Sequence, residues 1–152
     1  MKRFISIMSL CLCCAAASAQ TSNPRYDKAL ADSLGADEYG MKMYVLVMLK
    51  TGPKEINNKD TLRSLFRGHM ANIQRLADEG KLVVAGPLGK NERSYRGIFI
   101  FDVKTIAAAS DLLRTDPAIA AGLLDAELFE WYGSAALPVY LEVHEKIEKM
   151  QP

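Results

Sequence analysis

The sequence is poor in the residues that build covalent cross-links and metal centres. Its 152 residues include three cysteines and two histidines, and Cys11, Cys13 and Cys14 all lie at the start of the chain. After residue 19 the chain has no thiol, which excludes a disulfide framework and a cysteine metal site there. His69 and His144 are far apart in sequence, so no metal-ligand spacing is present and no cofactor is expected.

The sequence also lacks an excess of charge of one sign and lacks nucleotide-binding motifs. The chain has 19 basic and 18 acidic residues, a formal net charge of +1, and no basic block stands out. This balance argues against nucleic acid as a partner. No phosphate loop, dinucleotide fingerprint or Gly-x-Ser-x-Gly elbow occurs, so no motif fixes a reaction.

The start of the chain has the pattern of a secretory signal peptide at residues 1–19. Lys2 and Arg3 precede an apolar run at 4–16, and Ala17, Ser18 and Ala19 are the small residues that a signal peptidase reads. The run is shorter than the roughly 20 apolar residues of a membrane span. We therefore predict an exported chain, periplasmic or secreted, without a membrane span. A lipid anchor on a cysteine of this segment is the alternative.

Turn and periodicity signals divide the rest of the chain into three parts. Residues 20–40 form a predicted leader helix and turn, residues 41–133 one domain, and residues 134–152 a C-terminal helix. Apolar runs predict strands at 43–49, 82–85, 95–103 and 123–132, and helical periodicity predicts helices at 61–79 and 104–114. This β-α-β-β-α-β order predicts an α+β, ferredoxin-like fold, in which two helices cover one face of a four-stranded antiparallel sheet.

Cap and turn residues set the predicted ends of these elements. Asp60 or Thr61 caps the start of the first domain helix, and Gly80 stands where a C-terminal glycine belongs. Gly86 and Pro87 end the second strand.

The predicted central strands are apolar on both faces. In the third strand one face carries Tyr95, Gly97, Phe99, Phe101 and Val103, and the other carries Ile98 and Ile100. Helices of the same chain cover only one face in this fold, and a sheet face left in water normally carries polar residues. A second copy of the chain packed on the open face resolves this conflict, so we predict a homodimer through the sheet face.

His69 is the best candidate for chemistry. It lies in the apolar stripe of the predicted helix, four residues after Leu65 and four before Ile73. Its structural interpretation is a core histidine that one buried partner satisfies. Its functional interpretation is an imidazole turned into a pocket, since an imidazole changes charge near neutrality. His144 lies among charged residues of the terminal helix and is expected at the surface.

Three other features have both a structural and a functional interpretation. Asp116 before Pro117 is a standard helix start, with aspartate as N-cap, and one carboxylate can also serve a histidine. Gly86 and Pro87 can let a ligand approach the backbone closely. Arg96 is either a solvated charge or a bidentate partner for an acidic ligand group.

Three separated segments resemble a known family. They read Gly-His-Met at 68–70, Leu-Ala-Asp-Glu-Gly-Lys-Leu-Val-Val-Ala-Gly-Pro at 76–87 and Thr-Asp-Pro-Ala-Ile-Ala-Ala-Gly at 115–122. Together they resemble the YciI-like (YCII-related domain) family over roughly residues 43–133. The resemblance implies a dimeric α+β barrel of ferredoxin-like protomers and an active site on His69 and Asp116. It also implies small-molecule chemistry, since members include a dehydrochlorinase that acts on a chlorinated hydroxyquinol.

These observations lead to one functional hypothesis and its alternative. The hypothesis is an enzyme of the cell envelope in which His69 is the general acid/base and Asp116 orients it, performing proton transfer or elimination on a small organic molecule. The alternative is a dimeric module without catalysis, in which the same residues bind a small molecule or stabilise the fold.

Overall fold

The computed structural model describes residues 23–149. The predicted signal peptide and the three cysteines lie outside these residues. The elements in chain order are α1 (Lys28–Leu34), β1 (Met41–Thr51), α2 (Lys59–Asp78), β2 (Leu82–Pro87), β3 (Tyr95–Phe101), α3 (Ile106–Leu113), α4 (Pro117–Ala120), β4 (Leu124–Ser134), a 3-10 turn (Leu137–Val139) and α5 (Tyr140–Ile147). Within the described range, no helix is both long and apolar enough to cross a membrane.

The four strands form one antiparallel sheet in the order β2-β3-β1-β4. The predicted ferredoxin-like α+β fold is confirmed, with β1 and β3 at the centre of the sheet. Tyr44 and Val45 are neighbours on β1 and are both fully buried. Successive side chains of a strand point to opposite faces of the sheet, so the burial of both explains why this central strand is apolar on its two faces. The short α4 is an added turn between α3 and β4.

The main core lies between the sheet and the long helices. Val45, Val47 and Leu49 of β1 are all buried and face the helix layer with Phe99 and Phe101 of β3. Other members of this cluster are Leu76, Leu82, Ala109 and Leu113. Alternate residues of the strands therefore supply the floor on which α2 rests.

The second face of the sheet is partly covered by the end of the same chain. Tyr44, Val83 and Ile100 form a second buried cluster, against which Leu137 of the 3-10 turn packs. The hydroxyl of Tyr140 at the start of α5 donates a hydrogen bond to the carbonyl of Val83. The sequence prediction treated this face as bare, and residues 137–140 instead cover one part of it.

Several predicted element ends are wrong by a few residues, and two of them have a clear local cause. Helix α2 begins at Lys59, because Asn58 is the N-cap and its side-chain oxygen accepts from the amides of Asp60 and Thr61 at 3.0 and 2.9 Å. Strand β2 continues through Pro87, which pairs with Gly97. Proline is tolerated there because β2 is an edge strand, where no neighbour needs its missing N–H.

The predicted face of Tyr95 is also wrong. The pairing of β1 with β3 shifts register between Leu49 and Lys50, and the hydroxyl of Tyr95 donates to Glu127 at 3.1 Å. Glu127 lies opposite Met48 and therefore belongs to the second face of the sheet. A bulge inserts one residue and reverses the alternation beyond it, which a strict two-residue period cannot anticipate.

Candidate functional site

Helix α2 places His69 between two aromatic rings. Its ring lies edge-on to Phe66 of the same helix, with centroids 6.3 Å apart, and stacks on Phe99 of β3 at 6.0 Å. The residue is 8% exposed. The apolar stripe of α2 turns toward the sheet, so a histidine within that stripe is held at the boundary between helix and sheet.

Asp116 is fixed by the helix that it starts. It has an extended backbone, φ −83° and ψ 119°, and its Oδ1 accepts from the amide of Ala118 at 2.9 Å. Pro117 occupies the first helical position, where its fixed φ suits the helix and its missing N–H costs nothing. The residue is 1% exposed, so the carboxylate is desolvated and requires partners for both oxygens.

The structure brings the two predicted catalytic residues into direct contact. His69 Nδ1 lies 2.6 Å from Asp116 Oδ2. When the Asp116 carboxylate is ionised it can only accept, and Nδ1 then carries the hydrogen in this bond. His69 Nε2 has no hydrogen-bond partner among residues 23–149, and no partnerless side-chain polar atom in that range is fully buried, so Nε2 is accessible. The arrangement leaves the second ring nitrogen of His69 available to exchange a proton with a bound molecule.

A glycine next to the histidine permits this contact. A Cβ at Gly68 would lie 2.9 Å from Cγ and 3.3 Å from Cβ of Pro117. The two segments could not approach as closely with a larger residue, and Asp116 directly precedes the proline. Gly68 was part of the resembling segment, but its packing role was not predicted.

A polar cluster beside the pair was missed by sequence reasoning. Asn72 is 7% exposed, and its Oδ1 accepts from Arg75 Nη2 at 2.8 Å. The same Nη2 donates to Thr115 Oγ1 at 2.9 Å. The available signal was that Asn72 lies three residues after His69 on α2, and that Thr115 directly precedes Asp116.

In the described part of the chain, the three residues predicted to bind a ligand, Gly86, Pro87 and Arg96, do not bond to the His69–Asp116 pair. Gly86 and Pro87 pair with Ile98 and Gly97, and Arg96 Nε donates to Thr51 at 2.9 Å. No hydrogen bond or ion pair within residues 23–149 joins Gly86, Pro87 or Arg96 to His69 or Asp116. A ligand role for these three residues stays a prediction.

On the second face of the sheet, contacts and burial change the pKa values of three side chains, those of Lys50, Glu127 and Tyr44. The side-chain hydrogen bond from Lys50, at 3.1 Å, lowers the pKa of Glu127, and the same contact raises the pKa of Lys50. Burial raises the pKa of Tyr44 to about 12. Within residues 23–149, no group of three or more histidine, cysteine, aspartate or glutamate side chains is arranged to hold a metal ion.

Comparisons with known proteins place this geometry in a family context. The family model described as YCII-related domain matches residues 43–132. A solved structure that the chain resembles is a 5-chloro-2-hydroxyhydroquinone dehydrochlorinase from Burkholderia phenoliruptrix in complex with 2,5-dihydroxybenzoquinone. The two are 18% identical, the likeness covers 59% of this chain and 93% of that one, and the TM-score is 0.42. No curated protein matches the chain.

Proposed function

We propose that this chain, which belongs to the YCII-related domain family, acts on a small organic molecule by acid–base catalysis. His69 is the general acid/base, and Asp116 orients it and stabilises its cationic form. The proposal rests on the 2.6 Å contact between His69 Nδ1 and Asp116 Oδ2, which leaves His69 Nε2 accessible. A carboxylate behind an imidazole is the arrangement by which other histidine sites fix the tautomer of their base.

The position of the free nitrogen defines the chemistry. His69 Nε2 accepts a proton from an acidic C–H or O–H of the substrate, and the imidazolium that forms is stabilised by the Asp116 carboxylate. The same nitrogen then returns the proton to the product or to water. Proton transfer, or elimination in which a leaving group departs after proton removal, is the reaction class that this pair supports. Phe66 lies edge-on to the imidazole and is 44% exposed, so it supplies apolar surface for a ring.

The proposal is tested by the exchange of substrate hydrogens for solvent deuterium. A panel of small compounds is used, because no single substrate is defined. The protein is incubated in D2O with phenols and small carbonyl acids, and deuterium incorporation is followed by NMR. We expect exchange of at least one compound, and His69→Gln should slow it by about a hundredfold or more. His144→Gln is the matched control, because it removes the other histidine, which is exposed on α5.

The alternative function is a module that binds a small molecule without turning it over. A compound that binds wild type and His69→Gln equally, with no exchange above the uncatalysed rate in either, would favour this alternative. Equal exchange rates in wild type and His69→Gln would sink the catalytic role of the histidine.

We also propose that the chain is exported to the cell envelope and forms a homodimer. The pattern of residues 1–19 supports export. Apolar residues on the second face of the sheet support pairing, since Phe129 is 49% exposed and lies opposite Leu46. Cell fractionation with N-terminal sequencing tests export, and a chain that keeps Met1 in the cytoplasm contradicts it.

A further inference from the structure

The segment on either side of Asp116 is attached to α2 at three successive positions. Gly68 contacts Pro117, His69 bonds Asp116, and Asn72 lies 3.0 Å from the hydroxyl of Thr115. As α2 proceeds from residue 68 to residue 72, its partners run backward from 117 to 115. Asp116 is therefore bracketed, with one neighbour held by packing and the other by hydrogen bonds.

Thr115 is held to α2 by hydrogen bonds from the Arg75 guanidinium and to Asn72. Arg75 Nη2 carries two hydrogens and donates one to Asn72 Oδ1 at 2.8 Å and one to Thr115 Oγ1 at 2.9 Å. The single hydrogen of Thr115 is accepted by the Leu112 carbonyl at 2.6 Å or by Asn72 Oδ1 at 3.0 Å. Arg75 Nη1 also bonds Glu79 at 2.7 Å, so both arms of the guanidinium are held.

We infer that Thr115, clamped by Asn72 and Arg75, is a positioning residue that holds the Asp116 carboxylate against His69 Nδ1. This inference deepens the proposed function and rests on it. A buried asparagine is tolerated on a helix where its polar atoms are hydrogen-bonded, and here Oδ1 accepts from Arg75. The arrangement is explained if its role is to fix the aspartate, because catalytic groups require support that locks their geometry to within a fraction of an ångström.

The test reads the tautomer of His69 by 15N NMR at about pH 9, where an ordinary imidazole is neutral. In wild type we expect Nδ1 at the shift of a protonated nitrogen and Nε2 at that of an unprotonated one. Thr115→Val keeps the shape and removes the hydroxyl, and it should reduce the difference between the two shifts to about half or less as both tautomers become populated. Thr115→Ser keeps the hydroxyl and should restore the wild-type shifts.

Two further variants keep the test decisive. If Thr115→Val does not fold, Arg75→Lys replaces it, because lysine keeps the charge but cannot bridge two acceptors in the fork geometry of arginine. Gln74→Ala is the matched control: it removes an exposed hydrogen bond to Asp78 on the same helix and should leave both shifts unchanged. If the His69 15N shifts of Thr115→Val equal those of wild type, the inference is overturned and the proposed function stays in place. The same holds for Arg75→Lys where it replaces Thr115→Val. An unprotonated Nδ1 in wild type overturns the proposed function itself.

Discussion

Gly68 and Pro117 are in such close contact that a Cβ at residue 68 would lie 2.9 Å from Cγ of the proline ring. One residue along the chain from each of them, His69 and Asp116 form the candidate acid–base pair. Because residue 68 has no side chain, α2 and the start of α4 can approach closely at a point next to the candidate site.

This contact predicts whether the substitution Gly68→Ala raises or lowers the free energy of unfolding. Helix propensity alone predicts that Gly68→Ala stabilises the protein by about 0.5–1 kcal/mol. We expect instead a destabilisation of about 1 kcal/mol, because the new methyl group must displace Pro117. Urea unfolding measures the difference. A gain in stability would show that the proline ring moves aside freely and that the glycine is not required for the approach of the two segments.

Removal of the imidazole should destabilise the fold. His69→Leu leaves the Asp116 carboxylate buried with Oδ2 unpaired, and we expect a loss of about 2–4 kcal/mol near pH 7. The double variant His69→Leu with Asp116→Asn should recover about 1 kcal/mol, since asparagine still caps Ala118 and carries no charge. Unfolding is measured by urea at one protein concentration, because the stability of a dimer depends on concentration.

A matched control separates this effect from the loss of any histidine. His144→Leu, on the exposed side of α5, should change the free energy of unfolding by no more than about 0.5 kcal/mol. A His69→Leu protein that is more stable than wild type by about 1 kcal/mol or more would contradict the pairing described above.

The pair Asp37–Tyr132 predicts a change in stability at both extremes of pH. The hydrogen bond from Tyr132 lowers the pKa of Asp37 below its usual 3.8, and the same bond raises the pKa of Tyr132 from 10.0 to about 12. The stabilisation from Asp37 is present above pH 3.8 and lost as pH falls further. That from Tyr132 is present below pH 10 and lost as pH rises toward 12.

The variant Tyr132→Phe removes this hydrogen bond. The difference in unfolding free energy between wild type and Tyr132→Phe should be constant between pH 4 and pH 10, within the window set by the two ordinary pKa values, and should shrink outside it. Tyr26→Phe is the control, since it removes the hydroxyl of another exposed tyrosine, which is 61% exposed and outside this pair. A difference that does not vary with pH would show that the two side chains do not share a proton-dependent bond.

The proposed homodimer places Phe129 in its interface. Light scattering of residues 20–152 should give twice the mass of one chain, and Phe129→Lys should give the single-chain mass, because a charge would be buried without a partner. Ile106→Lys is the control: Ile106 is 41% exposed on α3, in the helix layer on the other side of the sheet. A monomeric wild type, or a dimeric Phe129→Lys, contradicts a dimer through this face.

Periodicity was sufficient to predict the architecture but not the site. The alternation of Val45, Val47 and Leu49 and the helical stripe around His69 are local signals, so they appear in sequence. The contact of His69 with Asp116 spans 47 positions and was predicted only through the resemblance to a family. Periodicity carries no signal for a hydrogen bond between separate elements.

The other differences have equally local causes. Asn72 and Thr115 were missed because a buried asparagine has no distinguishing pattern until its partner is known. The bulge at Arg96 of β3, between the pairs Leu49–Gly97 and Lys50–Tyr95, moved Tyr95 to the second face. The edge position of β2 allowed that strand to include Pro87. Neither the bulge nor the place of a strand in the sheet can be read from a strand's own sequence.

Asp116 has two functions that depend on the same side chain: Oδ1 caps the amide of Ala118, and Oδ2 holds His69. The four-residue α4 and the candidate site therefore form and open together. A helix this short frays readily when its cap is lost, so a change that draws Oδ1 away from Ala118 also moves the carboxylate that contacts His69. Protection of the Ala118 amide from hydrogen exchange therefore reports on a helical turn that the candidate acid–base pair shares.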